Sequence, residues 1–238
     1  MSYYGYKPYV SADEKKAKAL KAIEKLKKKN PDIEPVIIEG RALAKSWWGK
    51  AWNLNLESYA DYANRIDRGK QYVRNYSVLD LKIKKGAVEA KVQGSGSKHY
   101  EIKINIDTLD SKKWDQVTEL CNNRIDSLES LVEGKFPKEL EVLFTDKNYS
   151  MFPSPDEIHF ACNCPDWAYM CKHVAATLYG IGSRLDKDPM LFFELRDING
   201  QELVKKSMEK KLDSMLKNAG KKSTRTIDEK DISDLFGL

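Results

Sequence analysis

Three of the chain's four cysteines and one of its three histidines fall within twelve consecutive residues: Cys162, Cys164, Cys171 and His173, in the order C-x-C-x6-C-x-H. Three thiolates and one imidazole are the donor set of a closed, four-coordinate structural zinc site, with Zn–S at about 2.3 Å and Zn–N at about 2.0 Å. A filled shell leaves no position for a catalytic water. The expected role of one such ion is therefore to hold structure.

Local pattern supports that chemistry. Cys162 and Cys164 are two apart, which in an extended segment puts both sulfurs on one side, and Ile158, His159 and Phe160 lead in as a short strand. Pro165 turns the chain out of the strand. Val174, Ala175, Leu178 and Ile181 then recur at helical spacing, so Cys171 and His173 fall at or just before a helix N-terminus, where positive partial charge favours thiolate. Lys172 and the free amides of that first turn offset the net charge of about −1 that three thiolates leave on a divalent ion.

Other readings compete. The cysteines could be reduced core residues, although Cys162-Asn-Cys-Pro-Asp is polar and turn-like. Cys162 and Cys164 could form a redox pair. A nucleophile–base pair of Cys171 and His173 is disfavoured, because residues two apart at a helix start point in different directions and no orienting third group is evident. Ligand loss at a zinc site is expected to melt residues 158–185 locally while a separate body survives.

The C-x-C-x-n-C-x-H pattern, with a strand before and a helix after, resembles the SWIM-type zinc finger over about 158–185. The run Phe152–Ala176, with Tyr6-Lys-Pro-Tyr-Val and Val73-Arg-Asn, is similar to the small bacterial SWIM proteins. That resemblance implies zinc bound by Cys162, Cys164, Cys171 and His173, with DNA or protein binding proposed for the finger. It also implies association with helicase-like ATPases of the chromatin-remodelling class and with transposases.

A chain of 238 residues can bury a real core. It contains no run of 18 apolar residues, and its start, MSYYGYKPYV, lacks a signal-peptide pattern, so a cytoplasmic protein without a membrane span is expected. With three cysteines committed to metal, Cys121 stands alone, which argues against a disulfide framework. It shares a helical stripe with Trp114, Val117, Ile125 and Leu128 and reads as core.

The net charge of +5 hides an asymmetry. Residues 13–29 carry eight lysines against three acids, and 205–225 carry eight basic residues against two acids, a basic block near each end of a mildly acidic body. Such blocks are the footprint of a polyanion binder, and equally of well-solvated helices. Candidate nucleic-acid contacts are Lys15, Lys16, Lys18, Lys21 and Lys25, then Arg65, Arg68, Lys70 and Arg74, then Lys205, Lys206, Lys210 and Lys211.

The surrounding elements are legible by period. Tyr3, Tyr4, Tyr6 and Tyr9 make an aromatic N-terminal stretch, expected to pack on the body. Ser11 with Glu14 forms a capping box opening a helix to about Lys29. Trp48, Trp52, Leu56, Tyr59, Ala63 and Ile66 follow the spacing of one core helix, closed by Gly69, with Lys70 and Arg74 in the loop beyond. Three strands alternate: Leu79, Leu81 and Ile83, then Val88, Ala90 and Val92 after a turn at Gly86, then Tyr100, Ile102, Ile104 and Ile106. Residues 134–157 read as turn-rich, Asp188-Pro189 as a helix start, and Asn199 with Glu202 as the start of a helix with an apolar stripe of Val204, Met208, Leu212 and Met215, ended by Gly220.

The expectation is an α+β protein: a three-stranded antiparallel meander covered by helices, a strand–zinc–helix module and a helical C-terminal region. The divisions are a basic arm over 1–34, the body over 35–150, the zinc module over 151–198, and a basic amphipathic helix with a flexible tail over 199–238. No glycine-rich phosphate loop and no nucleophile–base–pocket set is evident, so no enzyme is expected. The function expected is a zinc-binding accessory protein contacting nucleic acid, DNA foremost; the alternative is a zinc-rigidified adaptor, for instance for a helicase-like ATPase. In the tail, Ile232, Leu235 and Phe236 at i, i+3, i+4 have the form of a docking peptide.

Overall fold

The computed structural model describes the chain apart from residues 1–9, 59–62, 97, 122, 123, 126, 136, 147–150 and 220–238. The N-terminal tyrosine stretch, Gly220 and the tail peptide lie outside the described residues. The fold is α+β, and its sheet has four strands: β1 (Val78–Lys84), β2 (Ala87–Gln93), β3 (His99–Ile106) and β4 (Ile158–Cys162), antiparallel in the order β1-β2-β3-β4. The strand leading into the cysteines is therefore the fourth strand of the meander, with Ile102 opposite Cys162 and Ile104 opposite Phe160.

Alternation sends Val88, Ala90, Val92, Ile102, Ile104 and Ile106 to the core. The other face is a ladder of opposite charges, Asp80–Lys91–Glu101 in one row and Lys82–Glu89–Lys103 in the next, so each residue faces its counter-charge across the strands. One expectation fails here. The register shifts between Val78 and Asp80, and this bulge changes the parity of β1. Leu81 stays in the main core, whereas Leu79 joins a separate small cluster with Ala19, Ile23 and Ile33.

That second cluster is what seats α1 (Ala12–Lys29), which begins with the expected Ser11/Glu14 capping box. The extended segment after it lies along the free edge of β1, Val36 N donating to Val78 O and Leu81 N to Glu34 O. Helix α2 (Trp47–Ser58) buries Trp48 and Trp52, whose indole N–H groups donate to Leu131 O and Leu178 O at 2.9 Å each. The next helix, α3 (Ala63–Arg74), does not stop at Gly69 as expected but continues through it, so Lys70 and Arg74 are helical. Gly69 serves packing rather than capping.

Three shorter helices follow. In α4 (Ser111–Leu120) the helical stripe ends earlier than its spacing suggested, with Cys121 as C-cap; the thiol is fully buried, and burial pushes its pKa up to about 12. Helix α5 (Leu128–Glu133) closes on Gly134 in the left-handed region, φ 67°. Helix α6 (Lys138–Thr145) lies inside the stretch read as turn-rich. Pro137 caps that helix, and proline starts helices as readily as it breaks them.

The centre of the fold is α7 (Lys172–Leu185), buried along nearly its whole length and packed on α2, α3 and the sheet. Close approach is set by glycines: a β-carbon on Gly180 would lie 2.7 Å from Leu81 Cδ1. Arg184 holds the edge segment, its Nη2 donating to Glu34 O at 2.7 Å. Helix α8 (Met190–Leu195) adds Phe192 and Phe193 against Trp48, at ring-centroid distances of 5.3 and 5.4 Å. The last helix, α9 (Gly200–Ala219), buries Leu203, Val204 and Ser207 but leaves Met208, Leu212, Met215 and Leu216 54–64% exposed, so the expected stripe is covered only in its first two turns. Among the described residues no helix is long and apolar enough to cross a membrane.

Candidate metal centre

Pairing with β3 carries β4 as far as Cys162, and Asn163 extends the register by one step, its N donating to Glu101 O and its side-chain oxygen accepting from Glu101 N at 3.0 Å. Cys164 follows in the turn. Cys171 is the N-cap of α7, with extended backbone, and His173 is the second residue of the helix. The four ligand atoms all lie within 4.8 Å of one another.

His173 Nδ1 lies 3.8 Å from Cys171 Sγ and 4.0 Å from Cys162 Sγ. A tetrahedral ion with the bond lengths of zinc sets its donors about 3.5–3.8 Å apart, so a small contraction closes the shell. The residues fit one metal ion. The extended N-cap also explains why Cys171 and His173 converge although they are two apart: only His173 has helical direction. Among the described residues no group orients the imidazole from behind, its buried Nε2 having no hydrogen-bond partner there. The nucleophile–base arrangement thus lacks its third member.

At Cys171 electrostatics favour thiolate. Cys171 is lowered to about 3, chiefly by its hydrogen bond with Cys162, with the His173 ring and the backbone N–H groups of Val174 and His173 adding to it against burial. Cys162 is pushed up by the same contact and by burial. A helix N-terminus aimed at a sulfur is the arrangement that stabilises negative charge there.

The loop between the cysteines is tied down on both sides. Asp166 receives a bidentate clamp from Arg65 of α3, Nη1–Oδ2 at 2.9 Å and Nη2–Oδ1 at 3.2 Å. Tyr169 donates to Ile158 O at 3.0 Å and packs its ring on Phe160 at 5.1 Å. His173 sits between Tyr100 and Tyr72, at centroid distances of 4.6 and 5.5 Å. Spacing alone gave no sign of Tyr72 or of the Arg65–Asp166 clamp, since their partners are about a hundred residues away in sequence.

The basic candidates separate by position. Arg65 is engaged in that clamp. Lys70 pairs with Glu57 at 2.9 Å and lies over the Tyr179 ring, and Arg74 Nη2 reaches Arg41 O at 3.4 Å. Arg68 is exposed. On α1, Lys18 donates to Gly96 O at 2.7 Å and Lys16 lies over the Tyr76 ring, while Lys15, Lys21 and Lys25 are exposed. On α9, Lys206 pairs with Glu202 at 2.8 Å and Lys205 approaches Glu209 at 4.0 Å; Lys210 and Lys211 are exposed. The basic candidates are thus distributed over α1, α3 and α9.

No protein-family model matches the chain. No solved structure matches it. It is similar to an uncharacterized protein of Mycobacterium tuberculosis (strain ATCC 25618 / H37Rv), with 32% identity over 164 residues, covering 68% of this chain and 59% of that protein. The chain thus spans less than two thirds of the length of that relative.

Proposed function

We propose that the Cys162, Cys164, Cys171 and His173 cluster holds one structural zinc ion and that the chain is a non-enzymatic zinc-binding accessory protein that contacts nucleic acid. The convergence of four ligand atoms within 4.8 Å carries the zinc assignment. Three sulfurs favour zinc over harder cations, and the fourth donor closes the shell. The resemblance of the motif to SWIM-type fingers supports the same reading. For nucleic acid, the support is the exposed lysines of α1 and α9. Contacts of this kind go to phosphates, so little sequence preference follows.

The test has two parts. Elemental analysis of purified protein is expected to give one zinc per chain. Titration of a DNA duplex at several salt concentrations is expected to give a log–log slope of roughly −4 to −5, from about 4–6 neutralised phosphates. A zinc-free folded protein, or no binding to DNA or RNA at low salt, would refute the corresponding half. A second reading, a zinc-rigidified adaptor for a protein such as a helicase-like ATPase, draws support from the exposed Met208, Leu212, Met215 and Leu216 on α9.

A further inference from the structure

Trp167 is 95% exposed, in the middle of the loop joining Cys164 to Cys171. The chain's other four tryptophans are buried or half-buried. An indole left in water is costly, and here the cause is not slackness in the loop. On one side Asp166 is clamped by Arg65; on the other Tyr169 is held through Ile158 O and Phe160. Ala168, between the two aromatics, donates its N–H to Asp166 Oδ1 at 3.3 Å, which fixes the turn. Tyr169, though 54% exposed, lays its ring against Phe160, whereas Trp167 is held outward.

Cations border the metal site to which this loop belongs. Arg68 lies one turn beyond Arg65 on the same face of α3 and acts electrostatically on Tyr72 together with Cys164 and Cys171. Lys98 lies over the Tyr100 ring at 5.7 Å, and Tyr100 in turn covers His173. Lys172 follows Cys171 directly. The loop's own acid, Asp166, is already neutralised by Arg65.

We infer that Trp167 is a stacking platform for an unpaired base of a single-stranded nucleic acid whose phosphates are met by Arg68, Lys98 and Lys172. The inference rests on the nucleic-acid reading above and assigns it a place and a strand state. An exposed ring on a loop tied down at Asp166 and Tyr169, beside a site bordered by cations, is a combination that suits single strands without reading sequence, because every base offers a π-face. A duplex keeps its bases stacked on one another and gives Trp167 no face.

Fluorescence anisotropy of labelled oligo(dT), oligo(U) and a duplex of equal length, titrated with wild type, Trp167→Ala and Trp167→Phe, tests it. Wild type is expected to bind the single strands with quenching of tryptophan emission. Trp167→Ala is expected to weaken single-strand binding about tenfold, Trp167→Phe to restore most of it, and duplex affinity to change less than twofold. Zinc content and melting temperature are expected to stay at wild-type values in both variants, as befits a side chain in solvent. The oligo(dT) and oligo(U) arms decide between DNA and RNA. Equal single-strand affinity of Trp167→Ala and wild type overturns the platform while leaving the nucleic-acid reading in place. Failure of wild type to bind any of the three overturns both.

Discussion

Gly69 of α3 and Ala175 of α7 meet where a β-carbon on the glycine would lie 2.6 Å from the β-carbon of the alanine. Backbone atoms of Ala175 and Ala176 stand at 2.9 and 3.0 Å from the same point, so no rotamer change relieves the contact. Gly69→Ala is expected to force the helices apart at a cost of about 2–3 kcal/mol. A thermal melt should show this as a loss of roughly 5–10 °C. An unchanged midpoint would mean that the two helices have slack.

Metal loss should be felt throughout the molecule. The sequence suggested local melting of 158–185, but Cys162 ends a strand of the common sheet and Cys171 and His173 open the central helix. His173→Ala, or chelation, is expected to abolish metal binding and to lower the midpoint followed through Trp48 and Trp52, which pack around α7. A tryptophan signal that melts as in wild type after zinc removal would restore the local picture.

Arg196 is fully buried, donating to Asp107 O at 2.8 Å and pairing with Glu157 at 3.0 Å. Burial raises the pKa of Glu157, but hydrogen bonds from Ser154 N–H and Arg196 outweigh it and leave the pKa below its ordinary value. A carboxylate lowered on folding contributes stability that is present above its unfolded pKa of about 4.3 and is lost as pH falls through the folded value. Glu157→Ala is expected to cost roughly 3 kcal/mol at neutral pH by leaving a buried cation unpaired, with the gap to wild type narrowing in acid. Denaturant melts at pH 7 and at low pH measure that gap. A difference that is independent of pH would sink the ion-pair account.

Lys21 and Lys25 are exposed on α1 and form no ion pair among the described residues. Lys21→Gln with Lys25→Gln is expected to reduce the magnitude of the duplex salt slope by about 2 if both meet phosphates. Stability should hold, since neither side chain packs. An unaltered slope would remove this face of α1 from the interface.

Leu212→Ser with Leu216→Ser on the exposed face of α9 is expected to leave the melting temperature within about 2 °C of wild type, as surface substitutions do. A larger loss would show that this face is covered in solution.

The sheet and the Cys/His cluster were legible because each depends on neighbours in sequence. Period-two alternation announced β2 and β3, and ligand spacing announced the cluster. What escaped depends on partners far along the chain. Whether Gly69 ends a helix or lets another helix approach is decided by Ala175, and the side taken by Leu79 is decided by one bulge. Helix α6 was hidden because Pro137 and Gly134 mark boundaries without saying what lies between them. For α9, the apolar stripe was read correctly as a stripe, but only the tertiary structure shows that its second half has nothing over it among the described residues.

The position of α7 within the chain has a bearing on synthesis. Helices α2 and α3 and strands β1, β2 and β3 all precede it and all rest against it. A ribosome delivering this chain in order releases those elements first, with their apolar faces uncovered until residue 185 emerges. The cysteines come out just ahead of that helix. Because Cys162, Cys164, Cys171 and His173 lie within twelve residues, a bound ion would be gathered by this one segment as it docks, tying closure of the core to capture of the metal in the life of the nascent chain.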